Sequence, residues 1–182
     1  MKKKSNAYQM AITGVMAAVI CILGPLSIPI GVVPISFTNL AIYFALYILG
    51  MKKGATSYII YMFIGFVGIP VFSSFTGGPS KLLGPTGGYI IGFILMALIS
   101  GFFIDHFFDK WYLCFAGMVL GTAVCYAFGT AWLSYQANIS ISSALAAGVI
   151  PFIPGDLVKI LIATFAGPQI RKRLIKANVL YS

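Results

Sequence analysis

Two charged residues stand where charge is expensive. In the stretch PFIPGDLVK (151–159), Asp156 and Lys159 interrupt an otherwise apolar segment. Spaced i, i+3, they share one face of a helix, with Cβ atoms about 5–6 Å apart. At the centre of a membrane-spanning helix, Asp or Lys costs roughly 2.5–3.5 kcal/mol. Such residues therefore pair, line a cavity or bind something. Three readings are open from the residues alone: a structural ion pair, a ligand site, or a proton relay. The relay is the weakest, because no further acid stands nearby. Pro154 and Gly155 favour a ligand site, since an interrupted helix exposes backbone groups that a ligand can use.

Other residues qualify for polar work. Asn39 lies one turn into an apolar helix, where an amide must be hydrogen-bonded, either to another helix or to a ligand. The loop IPVFSSFTGGPSKLLGPT (69–86) mixes aromatic, hydroxyl and glycine residues with one cation, Lys81. Thr76, Gly77 and Gly78 sit in its middle, and glycines let backbone approach a ligand closely. This loop is either plain Gly/Pro packing or part of a pocket wall. A second glycine cluster, ending at Tyr89, opens the next helix. His106 has no second histidine or cysteine beside it and reads as solvated. Cys21, Cys114 and Cys125 all lie in apolar segments without metal-binding spacing. No phosphate-binding loop, HExxH or GxSxG occurs, so neither ATP chemistry nor hydrolysis is indicated. No enzyme activity, metal or cofactor is expected.

The elements that must position these residues are helices in a bilayer. Of the 182 residues, 60% are hydrophobic and only 8% are charged. Soluble domains carry about 25% charged residues, and a small soluble domain could not hide so much apolar surface. The predicted fold is all-α, with spans over about 7–24, 35–50, 54–68, 86–104, 111–133 and 147–170; a spanning helix needs roughly 20 mostly apolar residues. MKKG (51–54) is expected as a tight basic turn. Residues 134–146 are expected as a polar surface stretch, and Pro151 and Pro154 as breaks within the last helix. The whole chain forms one membrane domain.

Orientation follows from charge. The net charge is +9, but the basic residues occur in short clusters between apolar segments, which sets topology rather than nucleic-acid binding. With six spans, Lys2, Lys3, Lys4, Lys52, Lys53, Lys110, Arg171, Lys172, Arg173 and Lys176 fall on one side. Those are ten of the twelve Lys and Arg residues. The positive-inside rule then puts both termini in the cytoplasm of a cell membrane. Asp105 and Asp109 join that layer. Only Lys81, Asp156 and Lys159 lie beyond it. On the first helix, Gly14 and Ala18 make a small-xxx-small pattern, with Ala7 and Ala11 one register earlier. Such spacing serves internal packing or docking to another membrane protein.

Four stretches resemble a known family. LGPLSIPIGVVPISFTNL (23–40), GIPVFSSFTGG (68–78), LLGPTGGYIIGF (82–93) and PFIPGDLVK (151–159) are similar to the BioY family. Its members are the biotin-specific substrate-binding (S) subunits of energy-coupling-factor (ECF) transporters. The resemblance implies a six-helix S-component bundle and a biotin pocket on the outer side. Asp156 would accept from a ureido N–H of biotin. Lys159 would donate to the ligand or orient Asp156. Tyr89, Ile30 and Val33 would cover the ring system, and Lys81 is the candidate partner for the carboxylate. Gly14 and Ala18 match the family's docking face for a transmembrane coupling subunit, which works with two ATPases. The competing expectations are an S-component for another small vitamin, or a small channel or structural membrane protein.

Overall fold

Residues 5–28 and 33–180 are described by the computed structural model. The first helix, α1 (Asn6–Leu23), begins where the Ser5 hydroxyl accepts the Tyr8 N–H, an N-cap that satisfies an otherwise orphaned donor. Two short strands follow. β1 (Ser27–Ile28) pairs antiparallel with β2 (Ile35–Ser36), Ser27 opposite Ser36. Then come α2 (Thr38–Phe66), α3 (Pro79–Leu83), α4 (Gly87–His106), α5 (Trp111–Ala137), α6 (Ile141–Gly148) and α7 (Ile153–Lys176).

The helix α2 is a hairpin rather than a rod. At Gly50 the backbone takes φ 79° and ψ 173°, a conformation glycine adopts without steric cost. A Cβ built on Gly54 would lie 3.0 Å from the Cα of Leu46. Eight residues along a straight helix would separate them by about 12 Å. The chain therefore folds back at Gly50, giving two antiparallel arms, 38–49 and 51–66. The turn is tighter than the sequence suggests: Lys52 and Lys53 already belong to the second arm. The reason is a cap from another helix. Asp105 Oδ2 accepts the Met51 N–H at 2.9 Å, so the new N-terminus is satisfied at once and its positive dipole end faces a carboxylate.

The region before α7 also differs from expectation. Residues 141–148, within and just after a stretch that reads as polar surface, form α6. Ser140 caps it by accepting the Ser143 N–H. α6 and α7 are bent by 50° across the break between them. Pro151 lies in that break, and Pro154 falls in the first turn of α7, where a missing N–H costs nothing. α7 then runs through the basic stretch to Lys176.

Close helix approach is made by glycine. A Cβ on Gly121 of α5 would lie 2.9 Å from the Met96 carbonyl oxygen of α4, so α4 and α5 pack with almost no gap, as small residues allow in membrane helices. The outside of the bundle is apolar: Val15, Ile22, Phe63, Phe102, Leu161 and Phe165 are all exposed. In α1 only 22% of the apolar window is buried. A bilayer is the solvent that accepts such a surface. Among the described residues, α1, α4 and α5 are each long and apolar enough to span it, and the bent α6–α7 pair counts as a fourth. The two arms of α2 complete a bundle of six.

The bundle has two distinct ends. At one, the Tyr8 hydroxyl donates to the Val179 carbonyl at 3.0 Å, Arg171 donates to the Tyr47 carbonyl at 3.2 Å, and its guanidinium lies 4.9 Å over the Phe108 ring. The Gly50 turn, the α4–α5 turn and the end of α7 therefore meet there. The other end holds β1–β2, α3, α6 and the start of α7.

Candidate functional site

At that second end lies a cavity, partly open to the exterior. Asp156 and Lys159 line it, as do Asn39, Tyr89, Lys81 and Val33. Ile30 lies outside the described residues. Thr76, Gly77 and Gly78 are not among the lining residues. They build the turn behind it: Phe72 and Thr76 exchange backbone hydrogen bonds, and the Gly78 N–H donates to the Gly65 carbonyl at 2.7 Å. That turn presents Phe72 and Ser73 to the cavity instead. It is tied to β1 through Ser27, whose hydroxyl oxygen accepts the Ser74 N–H at 2.8 Å.

The polar end of the cavity is built by four elements converging on Asp156 and Lys159. Asp156 lies in the first turn of α7, where the helix dipole favours a carboxylate. Its Oδ1 accepts from Asn39 Nδ2 at 2.8 Å and from Lys159 Nζ at 3.0 Å. Its Oδ2 accepts from the Tyr126 hydroxyl at 2.5 Å. Lys159 Nζ also donates to the Ser36 carbonyl of β2 at 2.7 Å. Asp156 is 8% exposed, Lys159 7% and Asn39 2%. A charge so far from water needs a partner and further hydrogen bonds to offset several kcal/mol of lost hydration, and both ions have them.

Counting the remaining hydrogen-bonding capacity defines what the site accepts. A carboxylate takes about four hydrogen bonds and an ammonium gives three. Asp156 uses three and Lys159 two. Among the described residues, one acceptor position on Asp156 Oδ2 and one donor on Lys159 are left, on a pair with no net charge. A neutral group presenting an N–H beside a carbonyl fits that remainder. A phosphate or an ammonium does not.

Part of the remaining wall is aromatic. Tyr58 and Tyr61 of the second α2 arm, Phe72 and Phe93 form a run of tilted and edge-on contacts, with ring centroids 5.5–6.0 Å apart. Such a surface suits a flat or fused apolar ring. The Tyr58 hydroxyl is spent on the Ile90 carbonyl at 2.7 Å. Tyr89 adds its ring from the first turn of α4. Lys81, on α3, is half-buried, and that burial pushes its ammonium pKa below the ordinary lysine value. An anionic ligand group would offset this penalty.

Tyr126 escaped the sequence reading. One signal was available: Thr122, Tyr126 and Thr130 repeat at four-residue spacing along an apolar helix, a polar stripe on one face. Thr122 also lines the cavity and shares a 2.6 Å hydrogen bond with the Tyr43 hydroxyl.

Gly14 and Ala18 do not line the cavity and are exposed on α1. A Cβ on Gly14 would meet nothing within 4 Å.

Comparison with known proteins gives a consistent set. Residues 1–176 match the BioY family. The biotin transporter BioY2 of Lactococcus lactis subsp. cremoris (strain MG1363) is 30% identical over 97% of this chain and 97% of its own. The biotin transporter BioY of Thermotoga maritima is 34% identical over 90% of this chain and 96% of its own. Among solved structures, the S-component for biotin from an ECF-type ABC transporter aligns with a TM-score of 0.85 at 32% identity, covering 94% of this chain and 95% of that one.

Proposed function

The chain belongs to the BioY family, and on that premise we propose that it is the biotin-binding S-component of an ECF transporter, with the Asp156–Lys159 cavity as its biotin site. It is a multi-pass membrane protein and a transporter subunit, not an enzyme. Biotin is its substrate, and it needs no cofactor.

The observation that carries the site assignment is the one remaining acceptor and one remaining donor on Asp156 and Lys159. The ureido ring of biotin presents an N–H beside a carbonyl, so both positions are filled without breaking the pair. The fused rings then lie against the aromatic wall, with Tyr89 and Val33 beside them. The carboxylate tail reaches Lys81, whose cost of burial it offsets. Neutral head, apolar body and anionic tail each meet matching chemistry.

Energy must come from outside the chain. We assign the exposed α1 face at Gly14 and Ala18 to a transmembrane coupling subunit, which would carry two ATPases. Small residues there permit close helix contact. The end holding Lys52, Lys53, Lys110 and Arg171 faces the cytoplasm, with both termini, by the positive-inside rule.

Calorimetry on the purified protein in detergent tests the substrate. Biotin is expected to bind tightly and to resist displacement by other vitamins. Absence of binding, or a better competitor, would overturn the reading. Gly14→Trp tests the docking face: biotin binding persists, while uptake in cells with the coupling module is lost. Full uptake by that variant would remove α1 from the assignment.

A further inference from the structure

Resting on the reading of the cavity as a biotin site, we propose that α5 is the common frame for both ends of the ligand: Tyr126 holds Asp156, while Trp132 and Gln136 hold the segment that carries Lys81. Lys81 belongs to a five-residue helix between two glycines, Gly78 and Gly84. So short an element has little stability of its own. Its C-terminal carbonyls are taken by α5. Trp132 Nε1 donates to the Gly84 carbonyl at 2.9 Å, and Gln136 Nε2 donates to the Leu83 carbonyl at 2.7 Å. These two side chains stand four residues apart on one helical face.

The other end is held from the same helix. Tyr126 donates to Asp156 Oδ2. The step from Tyr126 to Trp132 is about 9 Å along the axis at 1.5 Å per residue. α5 is a single uninterrupted helix from Trp111 to Ala137, packed tightly on α4 through Gly121. It is therefore a stiff spacer between the uncharged-ligand end and the anionic-ligand end. Trp132 and Gln136 touch no ligand in this account. They are positioning residues, and they act through Lys81 alone.

That separation makes the test sharp. Affinities of biotin and of biotinamide, its neutral primary amide, are measured by calorimetry on the detergent-purified full chain. Both ligands use the Asp156 end, but only biotin carries a carboxylate. The unchanged protein is expected to prefer biotin by roughly tenfold, the size of one charge-assisted hydrogen bond. Lys81→Met removes that preference. Gln136→Leu, a surface change that leaves folding intact, and Trp132→Phe lower the preference by about threefold while biotinamide affinity stays constant. Tyr126→Phe weakens both ligands equally. Equal loss of both ligands in Gln136→Leu and Trp132→Phe would mean a merely structural role and would overturn the proposal. So would an unchanged preference in both variants, or no preference in the unchanged protein, while tight biotin binding would still stand. Failure of biotin to bind at all would instead remove the functional reading itself.

Discussion

The two ends of the bundle spend their charges differently. At the end with the Gly50 turn, Asp105 is exposed and caps the second α2 arm through the Met51 N–H. Arg171 donates to the Tyr47 carbonyl near the end of the first arm. Each of these two charges serves a helix terminus, and water remains at hand. At the cavity end, Asp156 and Lys159 are buried and joined to side chains and backbone from α2, α5 and β2. There, hydrogen-bonding capacity is left over in a concave space. Charge used for architecture makes a single bond to its own chain and leaves its spare capacity to water. Charge used for recognition is satisfied almost fully, and the remainder is the specificity.

Breaking the cavity end should give the largest effect. Asp156→Asn leaves the Lys159 ammonium buried without its counter-ion, a change that costs about 3–5 kcal/mol at buried pairs. Biotin affinity by calorimetry should fall by at least about 100-fold. A change of only a few-fold would remove Asp156 from the recognition role. Gly50→Ala comes next, acting on architecture alone. Alanine at φ 79° is strained by about 1–3 kcal/mol, and thermal unfolding in detergent should shift down while folded protein keeps its affinity for biotin. A loss of affinity without loss of stability would show that the ends are not independent. The smallest effect belongs to Asp105→Ala, worth about 1 kcal/mol of stability as a lost helix cap. Biotin affinity should again be unchanged, and unaltered thermal stability would show that the cap is idle.

Much of this contrast is legible in the sequence because charge is rare in it. Asp156 and Lys159 stand out against an apolar helix, and the basic clusters mark the other end. Other features lie beyond such reading. Tyr126 is one of ten tyrosines, and only its contact with a residue 30 positions away separates it from core aromatics. The Lys159–Ser36 contact joins residues 123 apart, a tertiary fact with no local trace. The α2 turn is tighter than MKKG suggests because its cap comes from Asp105, a different helix. α6 is hidden because serine and alanine residues read equally as loop or helix, and the Ser140 cap decides between them. Thr76, Gly77 and Gly78 drew notice by composition, yet glycine composition does not tell a wall from the turn that braces it.

The Gly50 hairpin has a consequence for the lipid around it. Residues 38–49 and 51–66 are twelve and sixteen residues long, so the arms reach about 18 and 24 Å at 1.5 Å per residue. The hydrocarbon layer is about 30 Å thick. The shorter arm is shielded, with Ala41, Ile42, Tyr43, Ala45, Leu46 and Tyr47 all buried. The longer arm exposes Ile60, Phe63 and Phe66. Each arm is shorter than that layer, a mismatch that a bilayer can meet by thinning locally. Membrane thickness thus presses on the same hairpin whose first turn carries Asn39 to Asp156.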